Sequence, residues 1–149
     1  MTMATLTRLV DAVRPTKPQA PARVVEALSA RYSADTIERI DQLATLVTVA
    51  AGTELIVEGR IGAEAFVIIS GSADVTRNGE HVAEVHPGDV IGELALISGA
   101  RRNATVTTLT DVEVYAFSIR EFTTLIDERP DVSRRLLTDA PGRVAASAA

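Results

Sequence analysis

Residues 88–105 read GDVIGELALISGARRNAT. Glycines at 88, 92 and 99 bracket a short helix-forming stretch, Glu93-Leu94-Ala95-Leu96-Ile97, and the basic pair Arg101-Arg102 follows it. A helical turn set among strands must satisfy its own backbone donors. Its N-terminus presents unpaired N–H groups and the positive end of a dipole, which together favour an anion. Gly92, just ahead of the turn, lets a ligand approach the backbone closely, and Gly99 lets the loop fold back. The planar guanidinium of Arg102 suits two phosphate oxygens. An ionised Glu93 only accepts hydrogen bonds, which suits a sugar hydroxyl better than a phosphate. These parts describe a pocket for an anion attached to a sugar; spacing alone does not say whether the phosphate is cyclic.

Outward from this stretch, short β-rich runs cover 46–49, 54–57, 66–70, 73–77, 81–85, 105–108 and 112–117. Turn signals fall at Ala51-Gly52, Glu58-Gly59, Ser70-Gly71, Asn78-Gly79 and Pro87-Gly88. Asn78-Gly79 between two alternating runs predicts a two-residue hairpin. Many short strands at this spacing point to a barrel or jelly roll. Helical periodicity flanks them. Val24, Val25 and Leu28 form one stripe, and Ile37, Ile40, Leu43 and Ala44 form a second behind a Ser33 cap. Beyond Ser118 the period returns with Phe122, Leu125 and Ile126, and Pro130 opens a last short helix toward Leu137.

Two further motifs resemble a known family. Ile91-Gly92-Glu93-Leu94-Ala95-Leu96, followed by Arg102-Asn103-Ala104-Thr105, is similar to the cassette F-G-E-[LI]-A-L…R-x-A-[TS] of cyclic-nucleotide-binding domains. Gly52, Leu55, Gly59, Phe66, Ile68, Gly71 and Ala73 fit that family's upstream signature. Its members include the ligand domains of protein kinase A regulatory subunits and of the catabolite activator protein. The resemblance covers about residues 35–138. It implies an α+β fold: an eight-stranded jelly-roll β-barrel with an inserted phosphate-binding-cassette helix, flanked by N-terminal and C-terminal helices. It also implies roles. Arg102, which fits R-x-A-T where its neighbour Arg101 does not, would pair with the cyclic phosphate. Glu93 would accept from the ribose 2′-hydroxyl, and Gly92 would contact the ribose. The N–H groups of Ala95 and Asn103 would complete the phosphate nest, with Leu94 and Ala104 as cassette neighbours. Val75, Val82, Ala83 and Ile91 would wall the base. The ligand would be cAMP, or cGMP, with no metal.

Three departures from the family pattern stand out. Asn103 occupies a position where cAMP-binding members often carry Ala and cGMP-preferring ones Thr or Ser, so base choice stays open. Pro141-Gly142 cuts short the helix that often caps the base. No helix-turn-helix follows residue 138, so direct DNA binding is not expected.

Composition narrows the remaining classes. A chain of 149 residues accommodates one ordinary core. Its net charge of −5 argues against a generic nucleic-acid or anionic-membrane binder. Cysteine is absent, which rules out disulfides and thiolate metal sites. His81 and His86 lack the H-x-H pairing of a jelly-roll metal enzyme. No apolar run is long enough for a bilayer span, and no secretory signal opens the chain, so a cytoplasmic location is expected.

The expected domain organisation is an N-terminal helix and Pro-rich arm over 1–21, a ligand-binding domain with flanking helices over 22–138, and a flexible tail over 139–149. The function expected is a stand-alone cyclic-nucleotide sensor, not an enzyme, acting through an unknown protein partner or self-association. Phe122, Leu125 and Leu136 would supply the hinge's apolar contacts. The alternative is an interaction module that keeps the fold without depending on ligand, with the arm around Leu6, Leu9, Val10 and Val13 as its working part.

Overall fold

A computed structural model describes residues 20–134, apart from the side chains of Leu94, Leu96 and Ile97. The expected N-terminal helix, most of the Pro-rich arm, Leu136 and the tail lie outside the described residues. Helix α1 (Ala22–Leu28) buries Val24 and Leu28, and α2 (Ala34–Leu43) buries Ile37 and Ile40, which are the stripes read from the sequence. Ser33 caps α2, its hydroxyl accepting the Thr36 N–H at 3.2 Å.

Strands β1 (Thr45–Val49), β2 (Glu54–Ile56), β3 (Glu64–Ser70), β4 (Ala73–Arg77) and β5 (Glu80–Val85) follow. After them come β6 (Val90–Ile91), helix α3 (Glu93–Ser98), β7 (Thr105–Thr108), β8 (Val112–Ser118) and helix α4 (Ile119–Glu128). The strands form two antiparallel four-stranded sheets, ordered β1-β8-β3-β6 and β2-β7-β4-β5. The β4–β5 hairpin closes through Asn78 and Gly79, at φ 54° and 82°. Both central residues are left-handed, as a type I′ turn requires.

Strand β3 explains why the central apolar run is continuous rather than alternating. Its five inner residues, Ala65 to Ile69, are all buried. Phe66 and Ile68 face the second sheet, in a core shared with Ile56, Val75, Val85 and Val106. Ala65, Val67 and Ile69 face the helices, in a core shared with Val24, Leu28, Ile37 and Ile40. Helix α4 closes this second core. Its Ser118–Glu121 capping box satisfies both end groups. Phe122 and Leu125 turn inward, and Phe122 meets Phe117 edge-on at 5.7 Å.

Two polar ties hold the helical layer. The buried Thr36 hydroxyl donates to the Asp131 carboxylate at 2.7 Å. The buried Tyr115 hydroxyl donates to Asp41 at 2.5 Å. Burial, followed by the nearby Asp41 carboxylate, pushes the Tyr115 phenol far above its ordinary pKa and keeps it a donor.

Phe122→Ala removes a side chain shared by α4, β3 and β8. It is expected to lower unfolding stability by about 3–5 kcal/mol, read as a reduced urea midpoint at unchanged slope.

Candidate functional site

The short strand β6 delivers the chain to the inserted helix. Asp89, ahead of it, is almost fully buried and closes the preceding turn by accepting the His86 N–H at 2.8 Å. Its other oxygen takes Arg31 Nη1 at 2.8 Å. Arg31 lies between α1 and α2, so this pair ties the helical layer to the segment feeding α3. Gly88 sits under the arginine stem at φ 90°; a Cβ there would come within 3.2 Å of Arg31 Cδ.

Gly92 caps α3 in the left-handed region, φ 84°, and Gly99 ends it at φ 74°. The glycines therefore set both ends of the turn, as the sequence indicated. Glu93 is 2% exposed and Arg102 5% exposed. Two charged groups buried this deeply need electrostatic and hydrogen-bond support. Arg102 Nη1 donates to the Gly92 carbonyl at 2.7 Å, and Nη2 donates to the carbonyl of Glu64 at the head of β3. Burial pushes the guanidinium pKa down, while the charges of Glu93 and then Glu64 oppose that shift. The ordinary arginine pKa is so high that the group stays a cation at neutral pH.

The main chain around Arg102 is also fixed. Its N–H donates to Arg60 O and its carbonyl accepts from Gly59 N–H, both at 2.8 Å. Ile61 bridges Arg101, whose Nη1 donates to the Gly59 carbonyl at 2.9 Å. The β2–β3 loop is thus laced to the arm that follows α3. An open cavity of about 150 Å³ lies between them, walled by Ile56, Gly62, Glu64, Phe66 and Arg102 among others.

Of the residues singled out from the sequence, Gly92, Glu93, Ala95 and Arg102 come together around α3, all buried. Arg102 reaches the cavity wall. Ala104 is buried just ahead of β7, while the Asn103 side chain is exposed and its main-chain carbonyl accepts from Arg77 Nε at 3.0 Å. The Leu94 side chain lies outside the described residues. Val75 and Ile91 belong to the inter-sheet core, Ala83 packs partly against it, and Val82 is exposed. None of these four lines the cavity at Arg102. Gly62 and Glu64 were not legible as site residues. Both act toward Arg102 across about 40 positions of chain, and neither sits in a motif with the cassette. His81 and His86 are exposed, bonded to Asp74 and Glu84. Among the described residues no group of three or more potential ligands is placed to hold a metal, and no helix is long and apolar enough to cross a membrane.

Residues 46–129 match the family described as the cyclic nucleotide-binding domain. The chain is similar to the Pycsar effector protein XpPycTIR of Xanthomonas perforans, at 36% identity over 109 residues, covering 72% of this chain and 36% of that protein. It is similar to a cAMP-dependent protein kinase regulatory subunit of Yarrowia lipolytica, at 42% identity over 72 residues, 47% of this chain and 19% of that one. The chain thus spans about a third or less of the length of these curated relatives. The fold resembles that of the Thermus thermophilus Catabolite Activator Protein, with a TM-score of 0.66 at 20% identity, over 83% of this chain and 58% of that one.

Gly92 is doubly constrained, by its positive φ and by a Cβ position 2.8 Å from Arg102 Nη1. Gly92→Ala is expected to destabilise the fold by at least about 1–2 kcal/mol, the ordinary cost of a left-handed non-glycine residue. Chemical denaturation measures it, and an unchanged midpoint would contradict the geometry.

Proposed function

We propose that this chain, which belongs to the cyclic nucleotide-binding domain family, is a sensor or regulatory module that binds a cyclic nucleotide, cAMP first, and acts through a partner or through self-association. The observation that carries the reading is the buried Arg102 guanidinium, held beside buried Glu93 at the start of a glycine-bounded helix. A cation kept in place by backbone carbonyls is preorganised for an anion, because little reordering is left for the ligand to drive.

In this reading Arg102 pairs with the cyclic phosphate and Glu93 accepts from the ribose 2′-hydroxyl. Gly92 lets the sugar lie against the backbone. The N–H groups of Ala95 and Asn103 complete the phosphate nest, beside Leu94 and Ala104. The two sheets act as a jelly-roll barrel cupping the ligand, with Val82 and Ala83 toward the base and Val75 and Ile91, buried in the inter-sheet core, backing the wall. The likeness to a cAMP-dependent kinase subunit favours cAMP. The exposed Asn103 offers an amide to a guanine 2-amino group and makes cGMP the competitor. The chemistry is recognition rather than turnover, in a cytoplasmic setting.

Output would pass through α4. Phe122 and Leu125 seat it on β3 and β8, and Asp131 beyond it is bonded to Thr36 of α2. A ligand moves this layer only if it binds two arrangements with different affinity. The curated relatives carry names as different as an effector protein and a kinase regulatory subunit, so in this reading a partner carries the output.

Isothermal titration with cAMP and with cGMP tests the reading, and absence of heat at millimolar ligand would leave the ligand-independent interaction module as the better account. Arg102→Ala is expected to weaken binding by roughly tenfold to a hundredfold, the worth of a charge-assisted hydrogen bond. Unchanged affinity in that variant would remove Arg102 from the phosphate site.

A further inference from the structure

Gly62 lies in the loop between β2 and β3, against the cavity wall that Arg102 completes. A Cβ at Gly62 would stand 2.4 Å from Arg102 Cζ, 2.5 Å from Nε and 2.7 Å from Nη2. All three atoms belong to the guanidinium group. Gly62 is not among the glycines with positive φ, so its backbone conformation is open to other residues. This separates it from Gly92, which the turn itself requires. What needs a bare backbone at 62 is the arginine.

The surroundings decide which piece would move if a side chain were added. The loop is fixed ahead of Gly62 by the Arg60 and Gly59 hydrogen bonds to the Arg102 main chain and by the Ile61–Arg101 bridge, and two residues after Gly62 it enters β3 at Glu64. The guanidinium is the distal end of a flexible side chain. A methyl group at 62 would therefore displace the guanidinium from the carbonyls of Gly92 and Glu64 before it displaced the loop.

We propose that Gly62 is a positioning residue for Arg102: its bare backbone is the seat on which the guanidinium lies, and the seat sets the affinity of the site for the anionic group of its ligand. The inference rests on the reading of Arg102 as the phosphate partner, and it adds a residue outside the cassette. It also predicts a specific kind of variant. A chain with a small side chain at 62 keeps its fold and its arginine but holds that arginine in the wrong place.

The test uses the full chain with Gly62→Ala, Arg102→Ala and the double variant, titrated with cAMP and cGMP. Gly62→Ala is expected to weaken binding about tenfold or more, one charged hydrogen bond's worth, while the chain remains folded. In the Arg102→Ala background the same substitution should cost no further affinity, since its effect runs through the arginine. A ligand-free readout accompanies this: the Arg102 Nε–H resonance, identified by its loss in Arg102→Lys, should shift in Gly62→Ala. Parent-like affinity in Gly62→Ala, additive losses in the double variant, or an unmoved resonance would each overturn the proposal. A parent chain that binds neither nucleotide would overturn the functional reading instead, and the resonance alone would then decide on the seat.

Discussion

Strand β3 must bury both of its faces, and the rest of the molecule is arranged to let it. One face meets the second sheet and the other meets α1, α2 and α4. Without the helices, Ala65, Val67 and Ile69 would face water; without the second sheet, Phe66 and Ile68 would. The three layers are therefore a single solution to one strand's sequence. The same strand carries the site. Its first residue, Glu64, supplies a carbonyl to Arg102, so the cation is fixed to the head of a strand packed on both faces.

The site sets a buried cation within an acidic chain. The protein is acidic overall, and at the site the buried Arg102 cation stands beside the buried Glu93 carboxylate, with the carbonyls of Gly92 and Glu64 adding backbone dipoles. Carbonyl oxygens hold a guanidinium without cancelling its charge. Backbone support keeps the attraction available while meeting the cost of burial.

Much of this was legible in the residues. The helix stripes, the Ser33 cap, the Asn78-Gly79 hairpin and the glycine-bounded turn at 92–99 are local patterns, and local patterns survive folding. Seven strands showed as runs. Strand β6 did not, because Val90–Ile91 is too short to have a period and is a strand only by pairing with Phe66 and Val67. Glu93 and Arg102 were legible because a motif holds them close together. Gly62 and Glu64 were not, because their partnership with Arg102 exists only once β3 has folded back. Nor does alternation along β4 and β5 indicate depth: Val75 ends fully buried and Val82 exposed.

The Arg31–Asp89 pair makes the helical layer and the cassette parts of one thermodynamic system. Asp89 is fixed to the turn that launches α3, and Arg31 to the joint between the first two helices. Linkage is symmetric, so any coupling carried by this joint acts equally in both directions. Whatever grips the helices and strains that ion pair changes the cassette's hold on its ligand by the same factor as the ligand changes the grip. A binding partner of α1 and α2 that altered this ion pair would therefore be an effector of the site, whether or not it came near the ligand.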